Sequence, residues 1–169
     1  WFDKKNSLIL NNVHIQDGAK IGVKGFGFIP DKDKNIRTPH IGRVILEEGV
    51  EIGANSCIDR GSYGATVIGE GTFIDNLVHI AHNVQIGKFC AIAGQVGIAG
   101  HLVVGNNVRI QAQSGIGKNI KDNEIIQGTP AFGYSDFNKS YVYFKNLPKI
   151  IGRINKIEKE LNTQNTDNE

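Results

Sequence analysis

From Thr66 to Asn119 the apolar positions recur every six residues without a break. They fall at Ile68, Ile74, Ile80, Ile86, Ile92, Ile98, Val104, Ile110 and Ile116. Four residues after each comes a second small or apolar residue: Thr72, Val78, Val84, Cys90, Val96, Leu102, Val108, Ser114 and Ile120. The residue straight after the Ile/Val is usually tiny, with Asp75 and Gln111 as exceptions. A period of six fits neither the 3.6 of an amphipathic helix nor the 2 of an alternating strand. It is the signature of a parallel β-helix. Three hexads make one 18-residue coil, and successive coils stack at the ladder spacing of roughly 4.8 Å. The two apolar positions of each hexad are expected to point inward. The tiny residue should sit at a corner where a Cβ is crowded or a positive φ is required.

The unbroken run predicts three coils, 66–83, 84–101 and 102–119. Val44, Leu46, Val50, Ile52, Ser56 and Ile58 predict one more, shifted in phase by the stretch from Gly61 to Ala65, so the β-helix proper spans 44–120. Residues 1–24 hold a partial coil, Val13 to Lys24. Residues 25–43 form an inserted loop, with Pro30, Pro39 and five charges between Asp31 and Arg37. Long loops inside compact domains are more often functional than idle. Beyond 120 comes a connecting loop, 121–137. The pattern then changes to the helical period at Ile150, Ile151, Ile154, Ile157 and Leu161, giving a helical region over 138–162. The tail, 163–169, is polar and expected to be disordered.

Composition narrows the classes. A net charge of +2 over 169 residues gives no reason to expect nucleic acid as partner. The two cysteines, Cys57 and Cys90, form neither a ligand spacing nor a disulfide framework. No apolar run reaches the length of a membrane span, and a cytoplasmic protein is the default expectation. A first residue of Trp1 rather than Met suggests a fragment or trimmed product.

Five histidines occur, His14, His40, His79, His82 and His101. His82 is the second residue after Ile80, outward-facing near a corner. One coil further is Gly100, with His101 beside it, so both should lie about 5 Å from the His82 backbone. A histidine next to an unshielded backbone N–H suits a general base with an oxyanion donor. An exposed repeat-surface histidine is the plainer reading. His79 points outward and could touch a ligand or another subunit; His14 and His40 stay unassigned. Asp75 and Asn76 suit a turn, and Asp75 could equally orient the imidazole. No metal site is expected, because no Cys or carboxylate completes a ligand set around His79 and His82. The six Lys/Arg between Lys139 and Lys159 suit either a helix bundle's solvated face or an acidic protein partner.

The segments GFGFIPD (25–31), IGRVILEEGVEIGANSCIDRG (41–61), TVIGEGTFIDNLVHIAHNVQIG (66–87) and IAGQVGIAGH (92–101) resemble the UDP-3-O-acylglucosamine N-acyltransferase family of lipid A biosynthesis. The resemblance runs from about Gly18 to Leu161. It implies an all-β, left-handed parallel β-helix with a C-terminal α-helical extension, assembled as a homotrimer. It further implies transfer of a (3-hydroxy)acyl chain from acyl carrier protein to the 2-amino group of a UDP-3-O-acyl-glucosamine, without metal or other cofactor. Carried over by motif, His82 is the general base and Gly100 the oxyanion donor. Asp75 and Asn76 belong to the active-site region, and His101 assists binding or catalysis. The family's N-terminal uridine-binding domain does not appear in this chain. Its two histidines usually stand a further coil apart, whereas His82 and His101 are 19 residues apart. Either a coil is deleted or the AGH segment occupies the preceding rung. A UDP-N-acetylglucosamine O-acyltransferase, another hexapeptide acyltransferase and an inactive trimeric scaffold are the competing readings.

Overall fold

The computed structural model describes residues 6–166. Its strands stack into three parallel sheets, the faces of a three-sided coil. The first holds Ser7–Ile9, Arg43–Leu46, Ala65–Ile68, Gln85–Ile86 and Val103–Val104. The second runs from His14–Ile15 through Glu51–Ile52, Phe73–Ile74, Ala91–Ile92 and Arg109–Ile110 to Ile125–Gln127, closed by the antiparallel Phe132–Gly133. The third holds Lys20–Lys24, Cys57–Arg60, His79–Ile80, Gly97–Ile98 and Gly115–Ile116.

Within the unbroken run the register is 18 residues, as in Ile68↔Ile86↔Val104. The coil beneath pairs Arg43 with Ala65, four residues more, which is the phase shift taken up by Gly61–Gly64. The nine Ile/Val positions of the run are all 4% exposed or less. Burying each such side chain stabilises the fold by about 1.5–3 kcal/mol. Of the second set, only Leu102 is half-buried rather than buried. The inward hydroxyls tie corners together instead of packing as hydrocarbon. Thr72 Oγ1 donates to the Gly87 carbonyl (2.9 Å) and accepts the Cys90 amide (3.1 Å). Ser56 Oγ donates to the Asp75 carbonyl (2.8 Å) and accepts the Val78 amide (3.0 Å).

Three expectations are corrected. Positive φ falls not on the tiny residue but two positions later, at Leu77, Asn83, Phe89, Gln95, His101, Asn107 and Gln113, all between 55° and 64°. A positive φ at the third position of a four-residue turn is the type II geometry. Crowding, the other half of the expectation, does explain one corner: Cβ atoms at Gly69 and Gly87 would stand 2.5 Å and 2.6 Å from the backbone of the coil above. Second, the first coil is complete, because Ser7–Ile9 already pairs with Val44–Leu46. Third, the β-structure extends past 120, through the Val104↔Ile120 bridge to Ile125–Gln127.

The inserted loop is an exposed hairpin, Phe28–Pro30 against Asn35–Arg37. The C-terminal helix runs Tyr134–Thr166, starting within the expected loop and continuing into the expected tail. The rest of that tail, 167–169, lies outside the described residues, as do residues 1–5. Side-chain pairs Asp136–Lys139 and Lys156–Glu160 bridge successive turns of the helix. Residues 1–133 and 134–169 are separate compact units.

Candidate active site

His82 stands at the corner that follows the third-sheet strand His79–Ile80, and four segments meet around its ring. The Thr66 hydroxyl, one of the inward groups, accepts the Asn83 amide at 2.9 Å. That bond holds Asn83 in its left-handed conformation (φ 64°). Asn83 Oδ1 accepts both the Ser62 amide and the Ser62 hydroxyl at 2.9 Å. An atom that accepts a backbone N–H is the amide oxygen, so the approach of His82 Nδ1 at 3.2 Å is a donation from Nδ1–H. The Nε2 lone pair is thereby left for a proton. The four-residue phase shift supplies Ser62, so the irregularity in the repeat builds the support for the imidazole.

One coil above, His101 N donates to the His82 carbonyl at 3.0 Å, and the two rings meet edge to face with centroids 4.9 Å apart. Gly100 faces the nitrogen-bearing edge. A Cβ there would lie 3.2 Å from His82 Cε1 and 3.3 Å from Nε2. At some equivalent turn positions a side-chain oxygen caps the amide, Glu47 on Glu70 N, Asn106 on Lys88 N and Asp122 on Asn106 N, whereas at His82 and Gly94 none does among the described residues. The Gly100 amide has no such acceptor among the described residues. A bare N–H beside a base is a donor ready for developing negative charge.

His79 stands in a column whose next two positions, in register above it, are Gly97 and Gly115, which carry no side chains. They form the floor of an open trough beside His82, bordered by Phe26 and Pro130. His79 Nε2 lies 3.2 Å from Asp59 Oδ2, whose carboxylate is buried. The hydrogen bond to Asp59 raises the His79 pKa above the ordinary histidine value; burial opposes this, and the charge of Asp59 adds to it.

Asp75 does not join this group. It follows the second-sheet strand Phe73–Ile74, one face away from the His82 corner, and its Oδ1 accepts the amide of its own neighbour Asn76 at 2.7 Å. Asn76 Oδ1 accepts the Ala54 amide. Both line a separate hollow with Phe73, Arg109 and Gln111. Within the chain, then, the His82 Nδ1 contact is to Asn83, and none to Asp75 occurs among the described residues. The sequence reading also missed His40, whose ring lies edge to face on His82 at 4.8 Å. It missed Phe26 as well, on the lip of the trough. Asn83 stood in the IAHN motif, and its place one residue before an inward position is the available signal. Nothing in the spacing marks His40. No group of three His, Cys, Asp or Glu suited to a metal occurs among the described residues.

Residues 65–100 match the family described as bacterial transferase hexapeptide (six repeats). The UDP-3-O-acylglucosamine N-acyltransferase of Christiangramia forsetii is 51% identical over 161 residues, 84% of this chain and 47% of the relative. That of Rhizobium meliloti is 45% identical over 150 residues, 78% of this chain and 42% of the relative. Among solved structures, a UDP-N-acetylglucosamine O-acyltransferase from Moraxella catarrhalis superposes with a TM-score of 0.61 at 26% identity, covering 76% of this chain and 56% of that one. The chain spans about half the length of the curated relatives it matches. It is a hexapeptide-repeat protein homologous, across that half, to the UDP-3-O-acylglucosamine N-acyltransferases.

Proposed function

We propose that the protein transfers a (3-hydroxy)acyl chain from acyl carrier protein to the 2-amino group of a UDP-3-O-acyl-glucosamine. The observation that carries this reading is the pairing of a His82 Nε2 left free by Asn83 with the uncapped Gly100 amide one coil above. In the reaction, the substrate amine attacks the thioester carbonyl while His82 Nε2 takes its proton. The Gly100 N–H receives the tetrahedral oxyanion, which collapses to the amide and releases the pantetheine thiol. The reading needs no metal or redox cofactor. His79 and His101, on either side of the base, bind substrate, and the Gly97–Gly115 trough takes the acyl chain.

The coil is left-handed in this proposal, and three copies stand side by side as a homotrimer. Asp75 and Asn76 then enter the site only from a neighbouring copy, since their own His82 lies beyond their reach. The basic residues of the C-terminal helix suit the acidic acyl carrier protein through charge complementarity. A cytoplasmic site of action belongs to the same proposal; no described helix is long and apolar enough to cross a membrane. Incubation with 3-hydroxyacyl carrier protein and UDP-3-O-acyl-glucosamine tests the activity, the N-acylated product being the expected result and no turnover by a folded protein the contrary one.

The likeness to the Moraxella O-acyltransferase favours a second reading, O-acylation of UDP-N-acetylglucosamine. Offering both acceptors in one assay separates the two.

A further inference from the structure

His40 reaches the His82 corner from the inserted loop, more than two coils away in sequence, and is 4% exposed. Its backbone is tied down, the carbonyl accepting Arg60 Nε at 2.8 Å. Its ring is tied down too. Nδ1 lies 3.1 Å from the Thr38 carbonyl, and because a carbonyl only accepts, Nδ1 carries the hydrogen. Nε2 is then a lone-pair nitrogen, buried and without a partner among the described residues. A partnerless buried nitrogen is unfavourable for folding, so core packing alone does not account for an imidazole here.

The glycines around the ring say where it presses. A Cβ on Gly25 would come within 2.8 Å of both His40 Nε2 and His82 Cδ2. A Cβ on Gly27 would come within 2.8 Å of His40 Cε1. The loop backbone therefore lies directly on both rings. His82 is held between two perpendicular neighbours, His40 at 4.8 Å and 74° and His101 at 4.9 Å and 84°. Asn83 fixes only one atom of the imidazole, Nδ1. A single hydrogen bond leaves the ring free to swing about that contact, and the flanking edges remove this freedom.

We propose that His40 is a positioning residue, the fixed jaw of a clamp that holds the His82 ring with Nε2 toward Gly100. The proposal rests on His82 as the general base and deepens that reading. Anchoring the jaw through Nδ1 leaves Nε2 inside the Gly25–Gly27 cradle, which accounts for the orphaned nitrogen. It also gives the inserted loop a role in the reaction without contact with the reacting atoms.

His40→Asn tests this, because the amide of asparagine replaces Nδ1 at Thr38 but not the distal half of the ring. The expected result is a kcat lowered about 10- to 100-fold, the scale of a slightly misplaced catalytic group, with KM within about threefold and the melting temperature unchanged. His40→Gln, whose longer side chain refills the space against His82, should recover part of kcat. A second readout needs no turnover: the His82 Nδ1–H proton resonance, sharp in the unsubstituted protein, should broaden or vanish in His40→Asn. Wild-type kcat together with an undisturbed His82 resonance in a folded His40→Asn protein overturns the clamp. If the unsubstituted protein acylates nothing, the proposed function fails while the resonance still decides the positioning role.

Discussion

Asn83 Oδ1 sits at the junction of two coils, accepting the Ser62 amide at 2.9 Å from below while His82 Nδ1 lies 3.2 Å to its side. One oxygen thus joins the phase-shifting insertion to the imidazole and selects its tautomer. Asn83→Ala leaves the Ser62 amide and the His82 Nδ1–H without their acceptor and places alanine at a φ of 64°. The expected loss is about 1–3 kcal/mol of stability and about 100-fold in kcat. Chemical denaturation measures the first and steady-state kinetics the second.

Gly100→Ala separates the site from the fold. Its Cβ would lie 3.3 Å from His82 Nε2, in the space an attacking amine must use. The φ there is not in the left-handed region, so alanine brings no conformational strain, although its Cβ would also stand 3.2 Å from the His82 carbonyl oxygen. The expected outcome is at least a tenfold fall in kcat/KM, about 1.4 kcal/mol. The tight contacts should cost about 1 kcal/mol of stability, the low end of overpacking, and leave the protein folded. Kinetics alongside a urea titration checks both.

The corner glycines make a purely structural contrast. Gly87→Ala would drive a Cβ to 2.6 Å from the Gly105 carbonyl oxygen, whereas a Cβ on Gly117 meets nothing within 4 Å. Overpacking of this kind costs about 1–3 kcal/mol. Urea unfolding should therefore show a clear loss for Gly87→Ala and almost none for Gly117→Ala.

The His79–Asp59 pair gives stability a pH signature. The folded His79 pKa lies above its unfolded value, about 6.5. The stabilisation is therefore complete below that unfolded value and is lost as pH rises through the higher folded one. His79 is half-exposed, and solvent screening keeps the contribution below about 1 kcal/mol. Comparing unfolding of the parent and Asp59→Asn at pH 5.5 and pH 9 should show the larger difference at the lower pH.

The periodicity made the coil legible because inward residues repeat rigidly: Ile68, Ile86 and Val104 stack in register as counting in eighteens requires. The same counting puts Gly100 on the rung above His82 with His101 beside it, and the two imidazoles do meet. It failed where contacts cross the period. Asp75 is only seven residues from His82, yet seven residues along this chain is one face and a corner, so closeness in sequence did not mean contact. Ser62 and His40 enter through segments that interrupt the repeat, and no periodic argument fixes the path of an insertion. The left-handed turn positions are not legible for a different reason. The tiny residue relieves crowding between coils, while the left-handed backbone falls on larger residues such as Leu77 and Phe89, whose side chains give no sign of it.

The most direct test of the account is acyl transfer by the protein and by His82→Ala, with 3-hydroxyacyl carrier protein as donor and UDP-3-O-acyl-glucosamine as acceptor, followed by mass spectrometry of the sugar nucleotide. The account predicts N-acylated product from the protein and a loss of at least about 100-fold on removing the general base. Product formed at an undiminished rate by His82→Ala, or none from a folded parent protein, would contradict it.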